Sequence, residues 1–199
     1  VSDLYLRSVE ANQQHARVLL REGRDEDFLT FTEGAVELFP EDPELRLMYA
    51  TALMTVRPEQ AKWEAARAIE LDIDDPGRLT RAARLMLSLN EVDAARSYAA
   101  RATQLAPDDF IFRPELNSVS GVLAALAGEF ALAETAMRAA HEAVPSRETF
   151  TRDLARFLEG QGRTVEALEI IDETEPTTEA ERDALIKLRE EIVDRSSQR

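Results

Sequence analysis

GVLAALAGEFALAETAMRAAHEAVP, residues 121–145, carries small residues at Gly121, Gly128, Ala133 and Ala140 and closes on Pro145. The same spacing occurs upstream in Ala83, Ala95, Ala102 and Pro107, and again in Gly23, Ala35 and Pro40. Laid over one another, these stretches repeat with a period of about 34 residues, the signature of stacked helical hairpins. Valine and isoleucine follow helical spacing, not the alternation of a strand. Alanine, leucine, glutamate and arginine abound, which favours helix.

Outward from this stretch, helices are predicted at about 25–39, 43–56, 59–71, 77–89, 91–105, 114–127, 129–143, 147–160, 163–173 and 177–195. An earlier amphipathic segment, built on Leu4, Val9 and Ala16 to Leu20, stops at Gly23. Breaks fall at Pro40, Pro58, Pro76, Asn90, Pro107, Gly128, Pro145, Gly162 and Pro176. Proline lacks the amide donor and glycine tolerates positive φ, so both punctuate helices. Pro43, Pro76 and Pro114 sit near predicted first turns, where proline costs least.

The pattern resembles the tetratricopeptide repeat (TPR) family. In that family a small residue at phase 8 lets helix A approach helix B, and a glycine at phase 15 turns the hairpin. Alanines at phases 20 and 27 pack helix B, and a proline at phase 32 ends the unit. Here phase 8 reads Ala16, Ala50, Ala83, Gly121 and Ala155, and phase 15 reads Gly23, Arg57, Asn90, Gly128 and Gly162. Phase 20 reads Phe28, Ala61, Ala95, Ala133 and Ala167, and phase 27 reads Ala35, Ala68, Ala102, Ala140 and Thr174. Phase 32 reads Pro40, Ile73, Pro107 and Pro145.

The resemblance implies an all-α protein: a right-handed α-solenoid of about five TPR-like helical hairpins with a C-terminal capping helix. It implies one domain over residues 1–199, with repeats near 9–42, 43–75, 76–109, 114–147 and 148–176 and the cap at 177–195. Departures carry their own expectations. Phe28 should splay the first hairpin. The second repeat is one residue short around Arg57-Pro58. An insertion, Phe110 to Arg113, precedes the fourth repeat, and Thr174 should shorten the last B helix.

With 39 acidic against 24 basic residues the net charge is −15, which disfavours nucleic acid and anionic membranes as partners. There is no cysteine, so disulfides and thiolate chemistry are excluded. No apolar run approaches the roughly 18 residues that span a bilayer, and no signal peptide is visible. The expectation is a soluble chain, with the cytoplasm as the simplest location.

No metal-binding, phosphate-binding or nucleophile motif occurs. His15 and His141 read as ordinary helical residues, with His15 at a packing phase. Gly162 is explained by the turn, so Gly160-Gln161-Gly162 is no phosphate cradle. Acidic runs at Asp25–Asp27, Glu41-Asp42, Asp74-Asp75, Asp108-Asp109 and Asp172–Glu175 read as turn and helix-start residues. No catalytic residue, metal or cofactor is assigned.

In the family, helix A lines a concave groove at phases 2, 5, 9, 12 and 13. Carried onto this chain, the resemblance gives a peptide-binding set of Arg17, Arg21, Thr51, Met54, Arg84, Leu87, Val122, Arg152 and Arg156. Separated guanidinium groups with aliphatic side chains between them suit an acidic peptide. The competing reading pairs these arginines with neighbouring acids on the same helices, with no ligand. The asparagine clamp used for chaperone tails is missing, because Arg17 and Met48 stand at its positions. Trp63 should lie on the outward side of a B helix, and Phe110 to Phe112 should fold down onto neighbouring helices.

The function expected is a non-enzymatic module that binds a protein or peptide segment. Two alternatives follow from other features. The chain begins with Val1, which suits a regulatory or targeting domain cut from a larger enzyme or membrane protein. Trp63 or an end repeat would suit a self-associating scaffold.

Overall fold

The computed structural model describes residues 3–197, with side chains from Arg7 to Ser196. Among the described residues all regular structure is helical: α1 (Asp3–Arg21), α2 (Asp25–Leu38), α3 (Pro43–Leu53), α4 (Pro58–Leu71), α5 (Pro76–Ser88), α6 (Val92–Leu105), α7 (Arg113–Leu126), α8 (Phe130–Ala143), α9 (Glu148–Gly160), α10 (Thr164–Glu173) and α11 (Glu179–Ser197). The chain forms two compact units, residues 1–105 and 106–199. The division lies just ahead of the insertion at Phe110 to Arg113.

In the first unit α1/α2, α3/α4 and α5/α6 are antiparallel hairpins, and α2 and α4 also pack on the A helices that follow them, α3 and α5. The A helices α1, α3 and α5 lie side by side in that order. The second unit repeats this with α7/α8 and α9/α10, and α11 packs on both α9 and α10.

The turns explain the phase-15 residues. Gly23, Asn90, Gly128 and Gly162 adopt φ of 67°, 61°, 80° and 79°. Each ends an A helix with paired reverse bonds. Arg24 N–H reaches Leu19 O, Glu91 reaches Met86, Glu129 reaches Ala124, and Arg163 reaches Leu158. This closure satisfies carbonyls that the helix end leaves open, and it needs a left-handed residue. Repeat 2 does without one: Arg57 has φ −142°. There α3 stops at Leu53, three residues short of the predicted end, and the chain closes through Arg57 N–H to Leu53 O at 2.8 Å. Pro58 then opens α4 instead of merely breaking the chain, since the first helical residue has no intrahelical amide bond to lose.

Packing follows the small phases. Ala16, Ala50, Ala83 and Ala155 are wholly buried, as are Ala61, Ala95, Ala133, Ala167, Ala68, Ala102 and Ala140. Gly121 marks a close crossing of α7 and α8: a Cβ there would lie 2.6 Å from Met137 Cγ and 3.1 Å from the Ala133 carbonyl oxygen. Around these contacts the first unit buries Leu19, Phe28, Leu45, Leu53 and Ala61 in one cluster. The second buries Met137, Leu154, Leu158, Ile170, Leu188 and Ile192. Burying a leucine or isoleucine fully contributes about 1.5–3 kcal/mol each. Phe28 is accommodated inside the core, and α1 and α2 approach less closely over their length than α3 and α4.

Carboxylates cap two A helices as expected. Asp42 accepts from Leu45 N–H at 2.7 Å, and Asp75 from Arg78 N–H at 2.8 Å. Asp172 departs from that reading: it lies in the last turn of α10 and accepts from Arg189 at 2.9 Å. The last B helix is short, ending at Glu173, and Thr174 turns its hydroxyl back to Ile170 O. In the insertion only Phe110 folds down; Ile111 and Phe112 face solvent. Arg113 covers the Phe110 ring and donates to Pro107 O, so polar anchors hold this segment and its other rings need not be buried.

Candidate functional site

The A helices of each unit carry most of the groove-phase residues. In the first unit, Gln13 on α1 donates to the Asp42 carboxylate at 3.1 and 3.2 Å. One turn later Arg17 donates to Glu44 Oε1 at 3.1 Å. Arg81 on α5 closes on the same carboxylate with two bonds, 2.7 Å to Oε1 and 2.5 Å to Oε2. Glu44 is buried, and its carboxylate joins three successive A helices. Burial alone would raise its pKa, but Arg81 and Arg17 hold it below the ordinary carboxylate value.

The other expected residues of this unit lie on or next to the same three helices. Thr51 on α3, Met54 just past its end, and Arg84 and Leu87 on α5 are half-buried, while Arg21 at the end of α1 is exposed. Thr51 turns its hydroxyl to Leu47 O at 2.9 Å, so its methyl group is what it offers a ligand. Leu20, next to Arg21, is 46% exposed.

In the second unit Val122 is half-buried and packs against the core cluster. Arg152 donates to Glu148 one turn back at 2.9 Å. Arg156 reaches Glu191 on α11 at 3.4 Å, and Arg195 on α11 reaches Glu159 at 3.2 Å. Ser118 on α7 donates to Asp153 on α9 at 2.7 Å.

Arg17, Arg152 and Arg156 are thus each matched by a carboxylate of the chain. Only Arg152 finds its partner on its own helix; Arg17 and Arg156 find theirs on a neighbouring one. Sequence reasoning passed over Glu44, Arg81, Glu191 and Arg195. Glu44 stands at phase 2, a groove phase, and that was the signal available for it.

The histidines belong to different units. His15 is exposed, with its ring edge-on to Phe31 at 4.6 Å, and not packed inside as its phase suggested. His141 is half-buried beside the Thr151 hydroxyl at 3.4 Å. Burial lowers its pKa, with Arg138 acting in the same direction against Glu142 and Glu173. Among the described residues no cluster of three or more His, Asp or Glu side chains could hold a metal ion. Among them also, no helix is long and apolar enough to cross a membrane.

Solved structures share this architecture. TTC0263, a thermophilic TPR protein in Thermus thermophilus, matches with TM-score 0.72 at 20% identity, over 90% of this chain and 98% of its own. PilW, a widely conserved type IV pilus biogenesis factor, matches with TM-score 0.68 at 16% identity, over 98% and 80%. YrrB, a TPR protein with an unusual peptide-binding site, matches with TM-score 0.54 at 15% identity, over 100% of both chains. The fold is that of a tetratricopeptide-repeat protein. No protein-family model matches the sequence, and no curated protein matches it either. In TPR terms, the polar seam runs from phases 5 and 9 of one repeat to the start of the next A helix, as in Gln13–Asp42 and Arg17–Glu44.

Proposed function

We propose that this chain is a non-enzymatic protein-interaction module that takes up a peptide or protein segment on its A-helix faces. The observation that carries the reading is the mixed character of the first unit's face: Arg17 and Arg81 flank a carboxylate, beside partly exposed Leu20, Met54 and Leu87. Glu44 acts there as an internal stand-in for a ligand carboxylate. An acidic segment would share or replace that contact while its aliphatic side chains meet Met54 and Leu87. Similarity to YrrB adds a fold-level analogy only.

Selection from a random peptide display library tests this. Enriched peptides should pair aspartate or glutamate with aliphatic residues, and their binding should weaken as salt rises. Arg17→Glu with Arg84→Glu, and separately Arg152→Glu with Arg156→Glu, should weaken them by about tenfold or more with helix content unchanged. Native affinity in both double variants would overturn the reading.

A further inference from the structure

The outer face of α4 presents the chain's single tryptophan, and no groove contact uses it. Trp63 is 60% exposed. It is nevertheless held in place, because the Arg46 guanidinium lies over its ring, 5.8 Å from the centroid. Arg46 is itself buried and pinned, donating to Glu64 at 2.6 Å and to Pro40 O at 2.7 Å. A cation within about 6 Å of an indole face is attracted to it. One side of the ring is thus braced from beneath, and the indole N–H has no partner among the described residues.

Along the same helix three carboxylates, Glu59, Glu64 and Glu70, stand against two cations, Lys62 and Arg67. Glu59 lies one turn before Trp63 and Glu70 two turns after it, with side chains 85% and 66% exposed. Lys62 and Arg67 contact them but are more covered, and they are shared with Glu91 and Glu41. With the buried Arg46–Glu64 pair included, five carboxylates pair with three cations on and beside the helix that carries the exposed indole.

We propose that this face docks an arginine-bearing segment of a partner protein. One guanidinium stacks on the open part of the Trp63 ring, and neighbouring arginines meet Glu59 and Glu70. Arginine fits better than lysine because its planar fork both stacks on indole and grips a carboxylate with two bonds. The indole N–H donates to a backbone carbonyl of the same segment. Glu59, Trp63 and Glu70 all lie on the B helix α4 and outside the residue set of the peptide reading above, so success or failure here does not depend on that reading.

The test uses the whole chain and a blocked peptide, Arg-Gly-Arg-Gly-Gly-Arg, whose spacing follows the helical rise between Glu59, Trp63 and Glu70. As the only indole, Trp63 reports directly: its emission should change saturably as the peptide is added at low salt. By calorimetry, Trp63→Ala should weaken binding by about tenfold or more, as truncation of an aromatic anchor does. The lysine counterpart of the peptide should bind the native chain more weakly. Circular dichroism should show native helix content in the variant, since the removed side chain is mostly in solvent. Three results would each overturn the proposal: no saturable emission change, binding by Trp63→Ala within twofold of native, or equal affinity for the lysine peptide.

Discussion

α9 and α11 share two buried apolar positions of their stripes and differ at one decisive place between them. Leu154 and Leu158 of α9 correspond, one repeat period later, to Leu188 and Ile192 of α11, and all four are buried. Between them α9 has Ala155, wholly buried, where α11 has Arg189, exposed and paired with Asp172 on α10. Alanine at that position lets a following B helix come close. An arginine there stays in water and leaves no room for one. Shared apolar positions therefore do not by themselves continue an array; a small residue between them is needed as well.

The comparison breaks most strongly if the two residues are exchanged. Ala155→Arg would bury an unpaired guanidinium between α9 and α10 and should cost at least about 3 kcal/mol, read as a large drop in the denaturation midpoint. Enlarging the other small phases is a milder version. Ala95→Leu, Ala102→Leu or Ala133→Leu should each cost about 1–3 kcal/mol by overpacking. Unchanged chemical melts would mean that these positions are not close crossings.

Glu44→Gln comes next, at about 1–2 kcal/mol, because the two arginines it satisfies are partly solvated. Its pH signature has a definite sign. A carboxylate with a depressed native pKa contributes stability that is complete above the ordinary value of 4.5 and lost as pH falls through the lower native value. The native chain should thus lose stability over that acid range more steeply than Glu44→Gln. Arg189→Ala is the smallest change: its partner is as exposed as it is, so thermal melts should not move measurably.

What was legible in the sequence is what local geometry dictates. A left-handed turn residue and a close helix crossing each accept very few side chains, so Gly128, Asn90 and Ala133 announce their roles. Ion-pair partners are not dictated that way. Arg17 reaches across 27 positions and Arg81 across 37 to meet at Glu44, and long flexible side chains offer many equally good alternatives. The sequence could place Arg17, Arg152 and Arg156 on the right helices while leaving open which carboxylate each would find. The early end of α3 was hidden for a related reason: the apolar pattern runs on past Leu53, but without a glycine the turn has to form sooner.

The neighbour-to-neighbour packing of each unit also bears on time. Every helix contacts helices no more than two elements away along the chain. Such short-range connectivity requires little loop closure before contacts form, and it goes with fast folding. A hairpin such as α3/α4 has its own turn and its own buried alanines as soon as both helices exist. The growing polypeptide can therefore acquire structure one hairpin at a time during synthesis, with each completed pair serving as the template on which the next A helix settles.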